Sequence, residues 1–313
     1  MEKKKILVIG SLNLDMVVKA DHTPMVGETI LSDGDMEMIP GGKGANQACA
    51  VGCLGADVTI LGAVGNDMYA DRQLESLKQA GVNVSRVIRK DDSTTGVAFI
   101  TVNRDGDNSI AVVSGANAAL SEKDIDDNID LIKECDIVIF QLEIPLPTVC
   151  YAAKAAKSFG KMVILDPAPV PEKFPEELYG YIDIIKPNET ELCMLTGIEK
   201  AEKNLKKATD LLRNKGVKDV LVTLGENGVY FNSSEAGVHC IPAIKVEAVD
   251  TTAAGDAFTA ALAIMLAEGK NLKEAATFAN YVSSIVVTRK GAQSSIPTLD
   301  EVIGYIEKIE KME

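Results

Sequence analysis

The chain has 313 residues, 46 % of them hydrophobic, and a formal net charge of −14 at pH 7. That apolar content is enough for a large core, while the acidic balance argues against nonspecific nucleic-acid binding and against an anionic membrane surface, both of which draw on basic patches. The longest apolar run, Ala257–Ala267, is interrupted by Thr259 and falls short of the roughly 20 residues that a membrane span needs.

Lys3–Lys5 ahead of Ile6 imitate the start of a secretion signal, but Ser11, Asn13 and Asp15 break the hydrophobic stretch at once. A cytoplasmic protein with small-molecule partners is therefore expected. The six cysteines (49, 53, 135, 150, 193 and 240) form no C-x-x-C pair, and only His22 and His239 are at hand to complete a zinc site. They read as reduced, mostly buried small hydrophobes.

In chain order, the first strand is Ile6–Ile9, followed by GSLNLD, where Asp15 is either a turn residue or an acceptor for sugar-type hydroxyls beside Asn13. Met16–Pro40 breaks the rhythm. PGGKGANQACAVGCLG, Pro40–Gly55, then sets small residues and Asn46 at the mouth of an Ala-rich helix. Its glycines either permit tight packing or leave the backbone open to a hydroxylated ligand. Next come strand Val58–Leu61 and helix Met68–Ala80, and then Val97–Val113, which alternates around Asp105-Gly106 like a hairpin.

Strand Ile137–Gln141 runs on to Glu143, at the strand end where α/β sheets bind ligands or as a plain solvated edge residue. Helix Thr148–Phe159 and strand Met162–Leu165 follow, and then DPAPVPEKFPEE, too short for a domain linker. After strand Ile182–Ile185, KPNETE opens a helix for which Asn188, taken alone, is an N-cap. Helix Leu205–Lys215 and strand Val220–Thr223 lead to TLGENG, Thr223–Gly228, either a phosphate- or base-binding turn or only a hairpin turn. The C-terminal third holds a short strand Val246–Val249 and helices Asp256–Glu268, Leu272–Val287 and Leu299–Lys311.

This alternation predicts an α/β fold: a three-layer sandwich with a mostly parallel central sheet flanked by helices, one core domain over residues 1–313. The stretches at about 11–40 and 97–113 read as a small accessory β-sheet.

The most informative segment is DTTAAGDAFTAALAIMLAEG, Asp250–Gly269. Ala253, Ala254 and Gly255 carry almost no side chain, so backbone N–H groups at the helix start are free to face an anion with the helix dipole behind them. Asp256 in the first turn adds a carboxylate able to accept a proton from an attacking hydroxyl. Taken alone, Asp250 and the threonines are also ordinary N-caps. No Walker A loop occurs, and Gly42-x-Gly44 has Gln47 where a dinucleotide fingerprint needs its third glycine.

GSLNLD, GGKGAN, DTTAAGD and TRKGAQSSIP, in that order from Gly10 to Pro297, resemble the PfkB family of carbohydrate kinases, and within it the members that phosphorylate ribose. The resemblance implies transfer of the γ-phosphoryl of MgATP to O5 of D-ribose, giving D-ribose 5-phosphate, with Asp256 as base and Ala253–Gly255 as anion hole. It places the sugar among Asn13, Asp15, Gly41, Gly42, Lys43, Gly44, Ala45, Asn46 and Glu143, under a lid whose Ala98, Ile100, Ile110 and Val112 touch it. ATP falls to Asn188, Thr223, Leu224, Gly225, Glu226, Asn227, Gly228, Gly255 and Asn280, and Mg²⁺ to Glu191, through water. The resemblance also implies a potassium ion on Asp250 and Thr252, the carbonyls of Val286, Arg289 and Gly291, and the Ser295 hydroxyl, and a homodimer formed through the lid. AAGD stands where the broader family has GAGD. A sibling kinase for deoxyribose, a nucleoside or a hexose, and a noncatalytic sugar-responsive binding protein, are the alternatives.

Overall fold

The structure, a computed structural model, describes residues 4–311; Lys3 of the N-terminal lysine run lies outside them. β1 (Lys5–Ile9) passes into β2 (Asn13–Lys19) and, after a long loop, β3 (Glu37–Gly41). α1 (Lys43–Cys53), β4 (Asp57–Leu61), β5 (Ala63–Gly65) and α2 (Met68–Gln79) follow, then β6 (Ile88–Lys90), β7 (Gly96–Val102) and β8 (Asn108–Val113). The middle of the chain runs α3 (Glu122–Asp126), α4 (Ile129–Glu134), β9 (Ile137–Phe140), α5 (Leu146–Ser158), β10 (Met162–Leu165), β11 (Ile184–Ile185), α6 (Glu189–Thr196), α7 (Leu205–Asn214) and β12 (Asp219–Thr223). β13 (Val229–Ser233), β14 (Gly237–Ile241), α8 (Ala254–Ala267), α9 (Leu272–Val286) and α10 (Leu299–Glu310) complete it.

The main sheet has eight strands in the order β14-β13-β12-β11-β10-β9-β1-β4. From β4 to β12 every pairing is parallel, and β13 and β14 add an antiparallel edge. β1 shows why the sheet sits inside: Ile6 and Val8 pack on one face with residues of α1, α8 and α9, and Leu7 and Ile9 on the other with residues of α5, α6 and α7. A parallel sheet covered on both faces needs such continuous apolar strands. Each of these fully buried side chains contributes roughly 1.5–3 kcal/mol.

β3-β2-β7-β8 form a separate four-stranded sheet. Its register aligns Asp15 with Ala98 and Ala98 with Val112, and, two residues along, Val17 with Ile100 and Ile100 with Ile110. With the period of two in a strand, these residues share one face. The hairpin between β7 and β8 turns at Gly106, whose φ of 87° suits glycine.

Val246–Val249 is irregular, not a strand. β14 already forms the sheet edge, and the segment's end is anchored by the N–H groups of Val249 and Asp250, both donated to the Val287 carbonyl. Asp15 lies inside β2, so the turn alternative is set aside, and Glu143 lies three residues beyond the end of β9. All six cysteines are free thiols, but only Cys49 and Cys135 are buried; Cys53, Cys150 and Cys193 are partly exposed and Cys240 is exposed. Among the described residues no helix is long and apolar enough to cross a membrane.

Candidate active site

The carboxyl ends of β1, β9, β10, β11 and β12 open toward the starts of α1 and α8. The crevice beyond such strand ends is where an open α/β sheet holds ligands. Ser11 follows β1, Gln141 and Glu143 follow β9, Asp166 follows β10, and Lys186 follows β11.

On one side, Glu143 Oε2 accepts from Ser11 Oγ (2.5 Å) and from the Lys43 backbone N–H (3.0 Å), which pins the start of α1. Gly42 is required there: its φ is 87°, and a Cβ on it would lie 2.7 Å from the Asn13 nitrogen. Asp15 stands against Gly41, with no room for a side chain between them. Burial, and then the charge of Glu143, push the Asp15 carboxyl up to about 6. Asn13 is buried and accepts from Asn117 Nδ2 at 2.7 Å, so part of its hydrogen-bonding capacity serves the scaffold.

At the centre, Asp256 is 6 % exposed. Its Oδ2 accepts from Asn46 Nδ2 and its Oδ1 from Gln47 Nε2, each at 3.0 Å. Gln47 Nε2 also donates to Asp166 Oδ2 (3.0 Å), while Gln47 Oε1 accepts from Gln141 Nε2 (2.5 Å). An ionised carboxylate only accepts, which fixes the way both amides face. Asn46 Oδ1 is buried without a partner and is free for a hydroxyl donor. Burial raises the Asp256 pKa, and Asp166 adds to the rise, against the pull of Lys43 and the two amides. Burial disfavours the charged form of Lys43, but the carboxylates of Asp256, Asp166, Glu143 and Glu191 outweigh it and hold the ammonium charged.

Ala253 takes a left-handed conformation (φ 61°) and α8 starts directly after it with no side chain capping its first turn. The threonines and Asp250 do not cap α8. Asp250 Oδ1 instead accepts from the Thr252 N–H (2.9 Å) and hydroxyl (2.6 Å), and Oδ2 from the Gly291 N–H (2.9 Å). Burial opposes the charge on Asp250, yet these bonds hold its pKa below the usual range. The Ala254 N–H donates to the Thr251 carbonyl (3.3 Å), and the N–H groups of Gly255 and Asp256, with the positive end of the helix dipole, are left to the cleft.

That cleft has a volume of about 1040 Å³ and is floored by Lys43, Asp166, Lys186 and Asp256. Ala253–Gly255, Asn188, Glu191, Thr223, Gly225, Glu226, Gly228 and Asn280 all line it. Leu224 instead packs against the apolar layer under the sheet, and Asn227 is exposed outside the lining. TLGENG is at once the β12–β13 hairpin turn and a cleft wall.

Asn188 and Glu191 cap each other: Asn188 Oδ1 accepts from the Glu191 N–H and Glu191 Oε2 from the Asn188 N–H, both at 2.8 Å. The capping reading of Asn188 therefore holds, and the cap leaves both residues on the cleft wall. Burial, and then Asp166, raise the pKa of Glu191. A magnesium ion fits such a wall because it is ordinarily held by one or two carboxylates, waters and substrate phosphates. Asn280 Nδ2 donates to the Pro242 carbonyl (2.8 Å).

Of the potassium set, the structure joins Asp250, Thr252 and Gly291. Val286, Arg289 and Ser295 bond locally: the Val286 carbonyl accepts from the Arg289 N–H, and Ser295 Oγ donates to the Ala292 carbonyl. The donors are hard oxygens from two loops, a chemistry that suits a monovalent cation.

Sequence reasoning passed over Ser11, Gln47, Gln141, Asp166 and Lys186 as site residues. Asp166 and Lys186 were within reach of the strand-end rule that selected Glu143. Gln47 was not, because its partners lie 119 and 209 positions away in sequence.

Residues 3–299 match the profile of the pfkB family carbohydrate kinases. A ribokinase of Staphylococcus aureus (strain COL) is 41 % identical over 300 residues, which cover 95 % of this chain and 98 % of that one. A deoxyribokinase of Salmonella typhi is 36 % identical over 302 residues, 96 % of this chain and 98 % of its own. The solved structure of Arabidopsis thaliana ribokinase complexed with ribose and ATP is similar with a TM-score of 0.93 at 36 % identity, covering 98 % of this chain and 99 % of that one.

Proposed function

The chain belongs to the PfkB family of carbohydrate kinases, and from that membership we propose that it transfers the γ-phosphoryl group of ATP to O5 of D-ribose, giving D-ribose 5-phosphate and ADP. The observation that carries the reading is the juxtaposition of a buried carboxylate, Asp256, with the uncapped first turn of α8. Asp256 takes the proton of the O5 hydroxyl as that oxygen forms its bond to phosphorus, and the bond to the ADP oxygen breaks in line. The backbone at Ala253–Gly255 stabilises the charge on the group in transit.

Asp15, Asn46 and the Gly41–Ala45 backbone hold the ribose, with Asn13 and Glu143 shaping that wall. Gly225, Gly228 and Asn280 border the nucleotide, and Asn188 and Glu191 stand where they would hold Mg²⁺ through water; the ion supplies charge neutralisation on the phosphates. Potassium on the Asp250–Gly291 tie would keep the loop before α8 in order. The four-stranded sheet is read as the lid. Ala98 and Ile100 face with Asp15, while Ile110 and Val112 on β8 are half-exposed and offer apolar surface both to the sugar side and to a second copy of the chain. A cytoplasmic homodimer is the expected form.

Deoxyribose is the second reading, favoured by the similarity to the Salmonella typhi deoxyribokinase. ADP release from MgATP with D-ribose, 2-deoxyribose, fructose and adenosine separates the two. Highest kcat/KM on ribose supports the proposal. Turnover confined to another acceptor keeps the chemistry and moves the substrate, and binding of sugar without any turnover supports a sensor.

A further inference from the structure

Lys186 is on the cleft floor, 3 % exposed, yet the transfer scheme above gives it no work. Its Nζ stands 3.4 Å from Asp166 Oδ2, a loose contact beside the 2.7–2.9 Å usual for a charge-assisted bond. That same Asp166 oxygen already accepts from Gln47 Nε2 at 3.0 Å. On its other side, a Cβ placed on Gly255 would lie 3.4 Å from Lys186 Nζ. The ammonium therefore rests against the first turn of α8, at contact distance from the point where a side chain on residue 255 would begin.

Two sources of positive potential thus converge on one point, the helix N-terminus and a buried ammonium. Taking an ammonium out of water is costly, and one loosely held, shared carboxylate offsets that only in part. An ammonium has three N–H donors, and a phosphoryl group seated at the start of α8 presents acceptor oxygens to them. Lys43, the other cation of the floor, is shared among the fields of four carboxylates, Asp256, Asp166, Glu143 and Glu191, which hold it charged.

We infer that Lys186 is a further catalytic residue, which leans from Asp166 onto the γ-phosphoryl group of bound ATP and stays with it through transfer, so that the cleft favours the triphosphate over the diphosphate. The lysine acts by donating hydrogen bonds and takes no part in the proton transfer to Asp256. The inference rests on the kinase reading of the cleft.

The test is calorimetric binding of β,γ-methylene-ATP and of ADP, each with Mg²⁺, to wild-type and Lys186→Met protein, together with steady-state kinetics. The expected result is a fall of about 10-fold or more in affinity for the analogue, a change in ADP affinity below about 3-fold, and a kcat lower by about 10²-fold with ribose KM unmoved. Lys186→Arg recovers part of the triphosphate preference. Because Lys186→Met leaves Asp166 without its cation, the Asp166→Asn/Lys186→Met pair is measured beside it, and a triphosphate preference retained there overturns the inference. So does an equal loss for both nucleotides. Failure of the kinase reading looks different: wild-type protein that prefers the analogue to ADP but phosphorylates no sugar sinks that reading, while loss of the preference in the variants still supports Lys186.

Discussion

Asp15 and Asp256 are both carboxylates whose burial opposes their charge, and the role proposed for Asp256 uses the ionised form. For Asp15 the consequence for stability has a definite sign. Its pKa rises from 3.8 in the unfolded chain to about 6 in the fold, so between these values the folded protein holds a proton that the unfolded chain has released. Stability therefore falls as pH rises through that window and stays lower above it. Asp15→Asn is expected to raise the unfolding free energy at pH 8 by on the order of 1–3 kcal/mol, to leave it unchanged near pH 3, and to raise ribose KM steeply; denaturant melts at the two pH values with ribose kinetics check it, and equal melts at pH 8 contradict it. Gln47 acts by position. Its amide bridges Asp256 and Asp166 and is itself oriented by Gln141. Gln47→Leu should lower kcat by about 10-fold or more with ribose KM nearly unchanged, and a loss confined to KM would assign Gln47 to sugar binding instead. Asp256, Asn46 and Glu143 were legible in the sequence because each sits beside a glycine-rich turn or a strand end. Asp166 and Lys186, also at strand ends, were within reach of the same rule, whereas Gln47 was not, since only the sheet order brings the end of β10 to the start of α1.

At the scale of elements, the loop before α8 is held from outside the helix. Asp250 bonds Thr252 behind it and Gly291 across from it, and Val249 and Asp250 hang on the Val287 carbonyl at the end of α9. The first turn of α8 is thereby shaped without a side-chain cap. If potassium sits on this tie, replacing it with tetramethylammonium should lower kcat several-fold with no change in circular dichroism, and Asp250→Asn should remove the response to potassium; a turnover indifferent to the cation would discard the site. The helices with a clear apolar period, such as α2, α5 and α9, were legible to within two residues at either end. Val246–Val249 misled because β-branched residues carry strand propensity wherever they occur, whereas a strand needs a neighbour and β14 closes the sheet before it. The β7–β8 hairpin was legible from its alternation, whereas β2 and β3 showed only as a break in the rhythm and the register showed not at all; it is the register that sets Ala98 and Val112 in the row of Asp15.

Across the whole molecule, division of labour follows from topology. The parallel sheet, buried on both faces, fixes five strand ends to one side, and α1 and α8 bring two glycine-bearing helix starts to meet them. On the proposed reading, the acceptor side and the nucleotide cleft share one boundary, the Asp256–Gln47–Asp166 bridge. The charged groups sit at the strand ends of the main sheet, while the separate four-stranded sheet ends in β8, which is exposed along its length. The central claim is that Asp256 removes the proton of the acceptor hydroxyl beside the helix start that holds the phosphoryl group. The most direct measurement is ADP release from MgATP and D-ribose by wild-type and Asp256→Asn protein, with ribose binding and thermal melting recorded on the same samples. The account predicts a fall in kcat on the order of 10²–10⁴ with ribose binding and fold retained. Turnover near the wild-type rate in Asp256→Asn would contradict it.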